Sequence, residues 1–124
     1  MTGVIAVLAA ARKLSPITVD ADWGLDSIGA YPGTPASASR TLTVPVGNPG
    51  NITLGLSGDY NGTPQYRKNA GTWTTFANGD PLTVATASTL EFRNLNMASA
   101  TSMVVTVTDA TTSTSIGGWT GLGV

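Results

Sequence analysis

From Ser15 onward, apolar and polar side chains alternate in short runs, and turn residues such as Gly, Pro, Asn and Asp separate the runs. In the clearest run, residues 40–46, leucine and valine alternate with threonine. Successive side chains of a strand point to opposite faces, so this alternation predicts strands that bury one face. The predicted strands cover residues 16–20, 40–46, 51–57, 65–68, 72–76, 81–85, 89–95, 102–108 and 115–122.

The turns between these runs indicate how the predicted strands are connected. Asn48-Pro49-Gly50 separates two alternating runs and therefore predicts a hairpin or a meander. Pro45 has no N–H to donate to a sheet, so it marks an edge position or the end of its strand. Eight or nine short strands, without helical periodicity after Ala11, are typical of a two-sheet sandwich. We therefore predict an all-β fold in which residues 16–124 form one β-sandwich domain.

The alternation also predicts which side chains fill the space between the two sheets. Two of the three tryptophans, Trp73 and Trp119, are predicted as large core anchors, and Trp23 is placed at the rim. The other inward positions are Val19, Leu42, Val44, Ile52, Leu54, Leu56, Tyr66, Leu82, Val84, Leu90, Phe92, Val105 and Val107.

Residues 1–15 differ in composition from the rest of the chain. The apolar run from Val4 to Ala11 is much shorter than the about 20 residues that span a bilayer. A signal peptide has basic residues before its apolar run, and none precedes this run. Ala9 and Ala11 nevertheless resemble the small residues of a signal-peptidase cleavage site. The run could pack on its own domain as a helix or strand. We favour an arm that anchors the chain on another subunit. Its contact residues would be Val4, Ile5, Val7, Leu8, Arg12 and Lys13.

Composition narrows the classes of partner. Charged residues make up 10% of the chain, against about 25% in an average soluble domain, and threonine occurs twenty times. Such a surface carries little like-charge repulsion, so we expect homo-oligomers or regularly repeated copies. The net charge of −1 gives no general attraction to nucleic acid or to an anionic membrane, and neither is expected as a partner.

Candidate catalytic and metal-binding groups are few. The chain contains no cysteine and no histidine, so thiolate chemistry, disulfides and serine–histidine catalysis are excluded. Asp20, Asp22 and Asp26 form the densest acidic cluster, but they lack the glycine and the closing glutamate of a calcium loop. Glycoside hydrolysis needs two carboxylates close together, but Glu91 lies outward between Leu90 and Phe92, and its run contains no second acid. We expect no enzymatic activity, no metal and no cofactor.

Three aromatic residues lie in segments that read as loops, and they are the candidate surface contacts. Trp23, Tyr31 and Tyr60 could stack on a glycan, and exposed aromatics are equally common hot spots of protein interfaces.

One resemblance covers residues 18–122, in the order Asp22-Trp23, Ile52-Thr53-Leu54, the segment from Tyr66 to Trp73, Asn78-Gly79-Asp80, Leu90-Glu91-Phe92-Arg93, Val105-Thr106-Val107 and Ile116-Gly117-Gly118-Trp119. This series resembles the immunoglobulin-like antiparallel β-sandwiches of tailed-bacteriophage virion proteins. The resemblance implies a non-enzymatic structural protein of the virion, docked on a capsid or tail lattice through residues 1–15. Its partners would be other virion proteins. The alternative is an adhesin or glycan-binding module that contacts the host cell surface.

Overall fold

The computed structural model describes residues 14–124, and these residues form two five-stranded β-sheets with an apolar core between them. No helix occurs within that range. The strands are β1 (Thr18–Val19), β2 (Gly24–Ile28), β3 (Arg40–Thr43), β4 (Asn51–Ser57), β5 (Thr63–Lys68), β6 (Thr74–Thr75), β7 (Asp80–Thr83), β8 (Thr89–Leu95), β9 (Ser102–Asp109) and β10 (Thr114–Gly123). The prediction of an all-β sandwich is confirmed.

The first sheet has the strand order β1-β3-β8-β5-β6, and the second has the order β2-β10-β9-β4-β7. Every pairing is antiparallel except that of β2 with β10, which is parallel. The one departure from the antiparallel pattern arises because β2 adds to the sheet edge beside the last strand and runs in its direction.

The core lies between the sheets and follows the alternation of the long central strands. In β8 and β9 alternate residues are buried, so one face of each strand lines the core. Gly50 closes the turn before β4 at a φ of 79°, where a Cβ would collide with the carbonyl oxygen of Val84. The buried cluster consists of Ile17, Trp23, Leu42, Ile52, Leu54, Phe76, Val84, Leu90, Phe92, Met103, Val105, Val107 and Trp119.

The tryptophans are distributed differently from the prediction. Trp119 is a core residue, as predicted, with 1% of its surface exposed. Trp23 is also buried, at 2%, instead of lying at the rim. Trp73 is half-buried and does not belong to the core cluster, so its prediction as a core anchor is wrong. The reason is the strand register. Trp73 lies two residues before Thr75 and therefore on the same face, and Thr75 pairs with Gln65 of β5, whose side chain points outward.

A buried carboxylate ties three separate segments together at one end of the sandwich. Asp109, the last residue of β9, is fully buried. Its Oδ2 accepts hydrogen bonds from the backbone N–H of Ile17 and from Nδ2 of Asn48, both at 2.9 Å. Its Oδ1 accepts from the N–H groups of Thr111 and Thr112 at 2.9 and 3.2 Å.

Candidate functional site

The outer face of the first sheet carries a cluster of five side chains, which we call the Trp73 cluster: Gln65, Arg67, Trp73, Glu91 and Arg93. Cross-strand register creates it, since Arg67 lies opposite Glu91 and Gln65 lies opposite Arg93 in the β5–β8 pair. Directly opposed side chains on one face of a sheet lie within contact distance. The intervening core residues point inward, so these four side chains all project from the outer face.

Hydrogen bonds fix the polar members of the cluster in place. Arg67 donates from Nε to Oε1 of Glu91 at 2.6 Å and from Nη2 to Oε2 at 3.2 Å, which is a two-point contact. Arg93 donates from Nε to Oε1 of Gln65 at 2.7 Å. Gln65 in turn donates from Nε2 to the hydroxyl of Thr75 at 3.2 Å. The cluster is therefore an ordered array and not a set of freely moving side chains.

The indole of Trp73 covers both guanidinium groups. The central guanidinium carbons of Arg93 and Arg67 lie 4.3 and 4.8 Å from the ring centroid, within the range of cation–π attraction. The backbone turns sharply between β5 and Trp73, where Asn69 and Ala70 adopt φ values of 55° and 53°. This turn carries the chain back along β5 and places the indole over the side chains of the adjacent strand pair.

Positive charge in residues 14–124 is confined to the first sheet. All four basic residues of this range lie on its strands: Arg40, Arg67, Lys68 and Arg93. Of the seven acidic residues only Glu91 lies on a strand of the same sheet. The ion pair of Glu91 with Arg67 is the only one among the described residues. Arg93 consequently has no acidic partner within them.

The outer face of the second sheet has a different character. Alternation with the buried residues of its three central strands places hydroxyls, glycines and a few apolar side chains outward, without a charged residue. These positions are Thr53, Gly55 and Ser57 of β4, Val104, Thr106 and Thr108 of β9, and Gly118, Thr120 and Leu122 of β10. The two outer faces of the sandwich therefore differ sharply in charge and in aromatic content.

Of the three aromatic residues predicted as surface contacts, one is a core residue. Trp23 is buried, its Nε1 donates to the carbonyl of Leu90 at 2.8 Å, and its ring meets Phe92 edge-on at 5.4 Å. Its prediction as a contact residue is therefore wrong. Tyr31 is half-buried and donates its hydroxyl to the carbonyl of Val124 at 2.7 Å. Tyr60 lies on the loop between β4 and β5 and is 36% exposed.

The three carboxylates of the acidic cluster, Asp20, Asp22 and Asp26, accept hydrogen bonds from backbone and side-chain donors. Asp20 accepts from two backbone N–H groups, and Asp22 accepts from the N–H of Gly118 at 2.8 Å. Asp26 accepts from Nε1 of Trp119 at 2.9 Å. No group of three or more acidic side chains in residues 14–124 is arranged to hold a metal ion.

The predicted anchoring arm, residues 1–15, lies almost entirely outside the described part of the chain. None of its six predicted contact residues, Val4, Ile5, Val7, Leu8, Arg12 and Lys13, is described. Where the description begins, Leu14 and Pro16 line an open depression of about 510 Å³ with three threonines of the β9–β10 turn and the start of β10. Across residues 14–124, no helix is long and apolar enough to cross a membrane.

Sequence reasoning missed the Trp73 cluster, although part of its signal was present. Gln65 and Arg67, and likewise Glu91 and Arg93, are two residues apart in predicted strands. A spacing of two residues places each pair on one face of its strand. Glu91 and Arg93 therefore lie on the face that points away from the side of Leu90 and Phe92. What the spacing does not contain is the pairing of β5 with β8, which brings the two pairs together.

Comparisons with known proteins give little support for a family. No protein-family model matches the chain, and no curated protein matches it. A solved structure of a conjugative transposon lipoprotein from Bacteroides eggerthii is similar, with a TM-score of 0.48 and 14% sequence identity. The match covers 85% of this chain and 92% of that one.

This comparison corrects the predicted function. The similar solved structure is a conjugative transposon lipoprotein and not a virion protein, which contradicts the prediction of a structural protein of a tailed-phage virion. The alternative prediction, an adhesin or glycan-binding module, relied on Trp23, Tyr31 and Tyr60, and the burial of Trp23 removes one of these three residues. The resemblance to immunoglobulin-like virion domains is not tested by the comparisons.

The position of Trp73 gives a spectroscopic prediction. Trp73 is expected to supply most of the tryptophan emission that a dissolved quencher can reach, because Trp23 and Trp119 are only 2% and 1% exposed. Two guanidinium groups beside its ring should attract anions, so iodide should quench this emission more efficiently than caesium. Stern–Volmer titrations of the native chain and of Trp73→Phe measure both effects. Equal quenching by the two ions in the native chain would contradict the assigned environment.

Proposed function

We propose that the chain is a non-enzymatic protein-interaction domain and that it binds its partner through the Trp73 cluster. The observation that supports this most is the half-buried indole of Trp73, stacked with Arg67 and Arg93 on the outer face of a sheet. The other two tryptophans are buried in the core.

The composition of the cluster is that of a protein-binding hot spot. Tryptophan and arginine are enriched among the residues that dominate the affinity of protein interfaces. Here one tryptophan and two arginines are in mutual contact, and hydrogen bonds to Gln65 and Glu91 hold the arginines in place. Binding would then immobilise few additional rotamers, and each immobilised long side chain otherwise costs about 0.5–1.5 kcal/mol.

The remaining polar residues support a binding role over a catalytic one. The chain has no histidine or cysteine to act as a base or nucleophile. The carboxylate of Glu91 is held by Arg67, and Asp20, Asp22, Asp26 and Asp109 accept hydrogen bonds that stabilise the fold. A general acid or base must be within reach of a substrate proton, and these carboxylates are already engaged.

Site-specific photo-crosslinking tests the proposal by comparing the two outer faces. A benzophenone amino acid is introduced at Thr75, beside the Trp73 cluster, or at Thr106, on the uncharged face of the second sheet. Both positions are exposed threonines within strands, so the probes are matched. After irradiation in cells that naturally produce the chain, a discrete protein adduct is expected from Thr75 and not from Thr106.

The adduct mass and its peptides identify the partner, including a second copy of the chain. An adduct that forms only from Thr106, or with equal yield from both positions, would contradict binding through the Trp73 cluster.

A further inference from the structure

We infer that Arg93 is the residue of the Trp73 cluster that receives a carboxylate, so that the partner presents an aspartate or glutamate side chain to it. This inference rests on the proposed function and adds the chemistry of the contact. The site consists of the terminal nitrogens Nη1 and Nη2 of Arg93, oriented by Gln65 and flanked by the indole of Trp73.

The two arginines of the cluster differ in what their guanidinium groups already bind. Arg67 uses Nε and Nη2 on the two oxygens of Glu91. Arg93 uses only Nε, which donates to Gln65. Among residues 14–124 its terminal nitrogens make no hydrogen bond, and it takes part in no ion pair. The edge formed by Nη1 and Nη2 is therefore the unsatisfied donor pair of the cluster.

An acceptor with two oxygens fits this edge. Guanidinium binds carboxylate through two parallel N–H···O bonds, and this geometry needs the planar fork of arginine in a fixed orientation. Two contacts provide that orientation for Arg93: the bond from its Nε to Gln65 at 2.7 Å and the stacking on Trp73 at 4.3 Å. Gln65 is in this sense a positioning residue, itself held by Thr75.

Charge and shape favour an acidic protein segment over a small anion. Within the Trp73 cluster Glu91 is paired with Arg67, so Arg93 carries the charge that no acid of the described residues neutralises. Small-ligand sites are concave and bury most of their ligand. The Trp73 cluster instead stands on the outer face of a sheet, where a protein surface can meet both the indole and the guanidinium.

The test is an NMR titration of the full chain with hexaglutamate, with hexaglutamine as the uncharged peptide control. Hexaglutamate should shift the Arg93 side-chain and Trp73 indole N–H resonances at low salt, and hexaglutamine should not. Arg93→Gln is expected to weaken binding about tenfold, the loss that accompanies one charge-assisted hydrogen-bonded contact. Arg93→Lys, which keeps the charge but loses the fork, should weaken it by a similar factor.

Lys68→Gln is the matched charge control. Lys68 lies on β5, the strand that pairs with the β8 strand of Arg93, but its Nζ donates to the carbonyl of Thr83, away from the cluster. This variant should bind hexaglutamate as the native chain does. Equal weakening by Lys68→Gln, or equal shifts with hexaglutamine, would overturn the inference. Tighter binding of inorganic phosphate or of polygalacturonate at Arg93 would overturn the assignment to an acidic protein segment.

The crosslinking experiment separates failure of this inference from failure of the proposed function. If the Thr75 adduct is lost in a Trp73 variant but retained in Arg93→Gln, the cluster binds a protein and the role of Arg93 is wrong. If no adduct forms at Thr75 at all, the proposed function itself is wrong.

Discussion

Replacement of Asp109 by asparagine is expected to destabilise the folded chain by about 3 kcal/mol, because it leaves buried hydrogen-bond donors without an acceptor. Asp109 is fully buried and accepts four hydrogen bonds from three segments of the chain. Asparagine has the same shape, but its amide nitrogen would face donors and cannot accept from them. The N-terminal segment at Ile17 and the β9–β10 turn would lose their common attachment.

The same carboxylate predicts a pH dependence. Burial alone would raise the pKa of Asp109, but hydrogen bonds from Ile17, Asn48, Thr112 and Thr111 favour the ionised form and lower the pKa from 3.8 to about 2. Because the folded pKa lies below the unfolded one, the stabilisation is fully present above about pH 4. It is lost as the pH falls towards about 2.

Chemical denaturation of the native chain and Asp109→Asn between pH 2 and pH 7 measures both effects. The difference in unfolding free energy should be largest near neutral pH and should shrink below about pH 4. Asp59→Asn is the control, since Asp59 is exposed on the loop after β4. A difference between Asp109→Asn and the native chain that stays constant across this range would contradict the assigned role of the ionised carboxylate.

Trp23→Ala is expected to lower the unfolding free energy by about 4 kcal/mol, the cost of truncating a large buried aromatic side chain. Trp23 packs edge-on against Phe92 and donates to the carbonyl of Leu90. Gly117 makes room for the ring, because a Cβ there would lie 3.1 Å from Cζ3 of Trp23. Truncation would therefore open a cavity between the two sheets and leave the Leu90 carbonyl without this donor.

Thermal and urea unfolding of three variants tests the assignment. Trp23→Phe should cost less than Trp23→Ala, since it keeps the edge contact and loses the hydrogen bond. Trp73→Ala, outside the core cluster, should cost about 1 kcal/mol or less. Comparable losses for Trp23→Ala and Trp73→Ala would show that the two tryptophans have been assigned to the wrong environments.

The sequence allowed the sandwich to be predicted because its strongest signals are local. The strands β4, β8 and β9 bury alternate residues over most of their length, and inward residues such as Leu90 and Phe92 are predicted from that alternation alone. The buried Met103 of β9 is not predicted, because apolar residues follow it directly in the sequence. Strand β2 was missed because its sequence, Gly24–Ile28, has weak β propensity and is held by parallel pairing with a strand more than ninety residues later.

The functional surface depends on contacts between residues that are distant in the chain. The sequence predicts Trp73 in the core and Trp23 at the rim, whereas the structure places Trp23 in the core cluster and Trp73 outside it. The attachment of Ile17 to Asp109 spans 92 residues and has no local sequence signal. Likewise, the pairing of Gln65 with Arg93 follows from the β5–β8 register and from nothing in either strand by itself.

The most direct test of the central claim, that the Trp73 cluster is the binding surface, is the yield of the Thr75 photo-crosslink in a Trp73→Ala background. Binding through the Trp73 cluster requires that this variant remains folded by thermal unfolding and loses most of the adduct, because the central hot-spot side chain is removed. A folded Trp73→Ala chain that forms the same adduct in undiminished yield would contradict it.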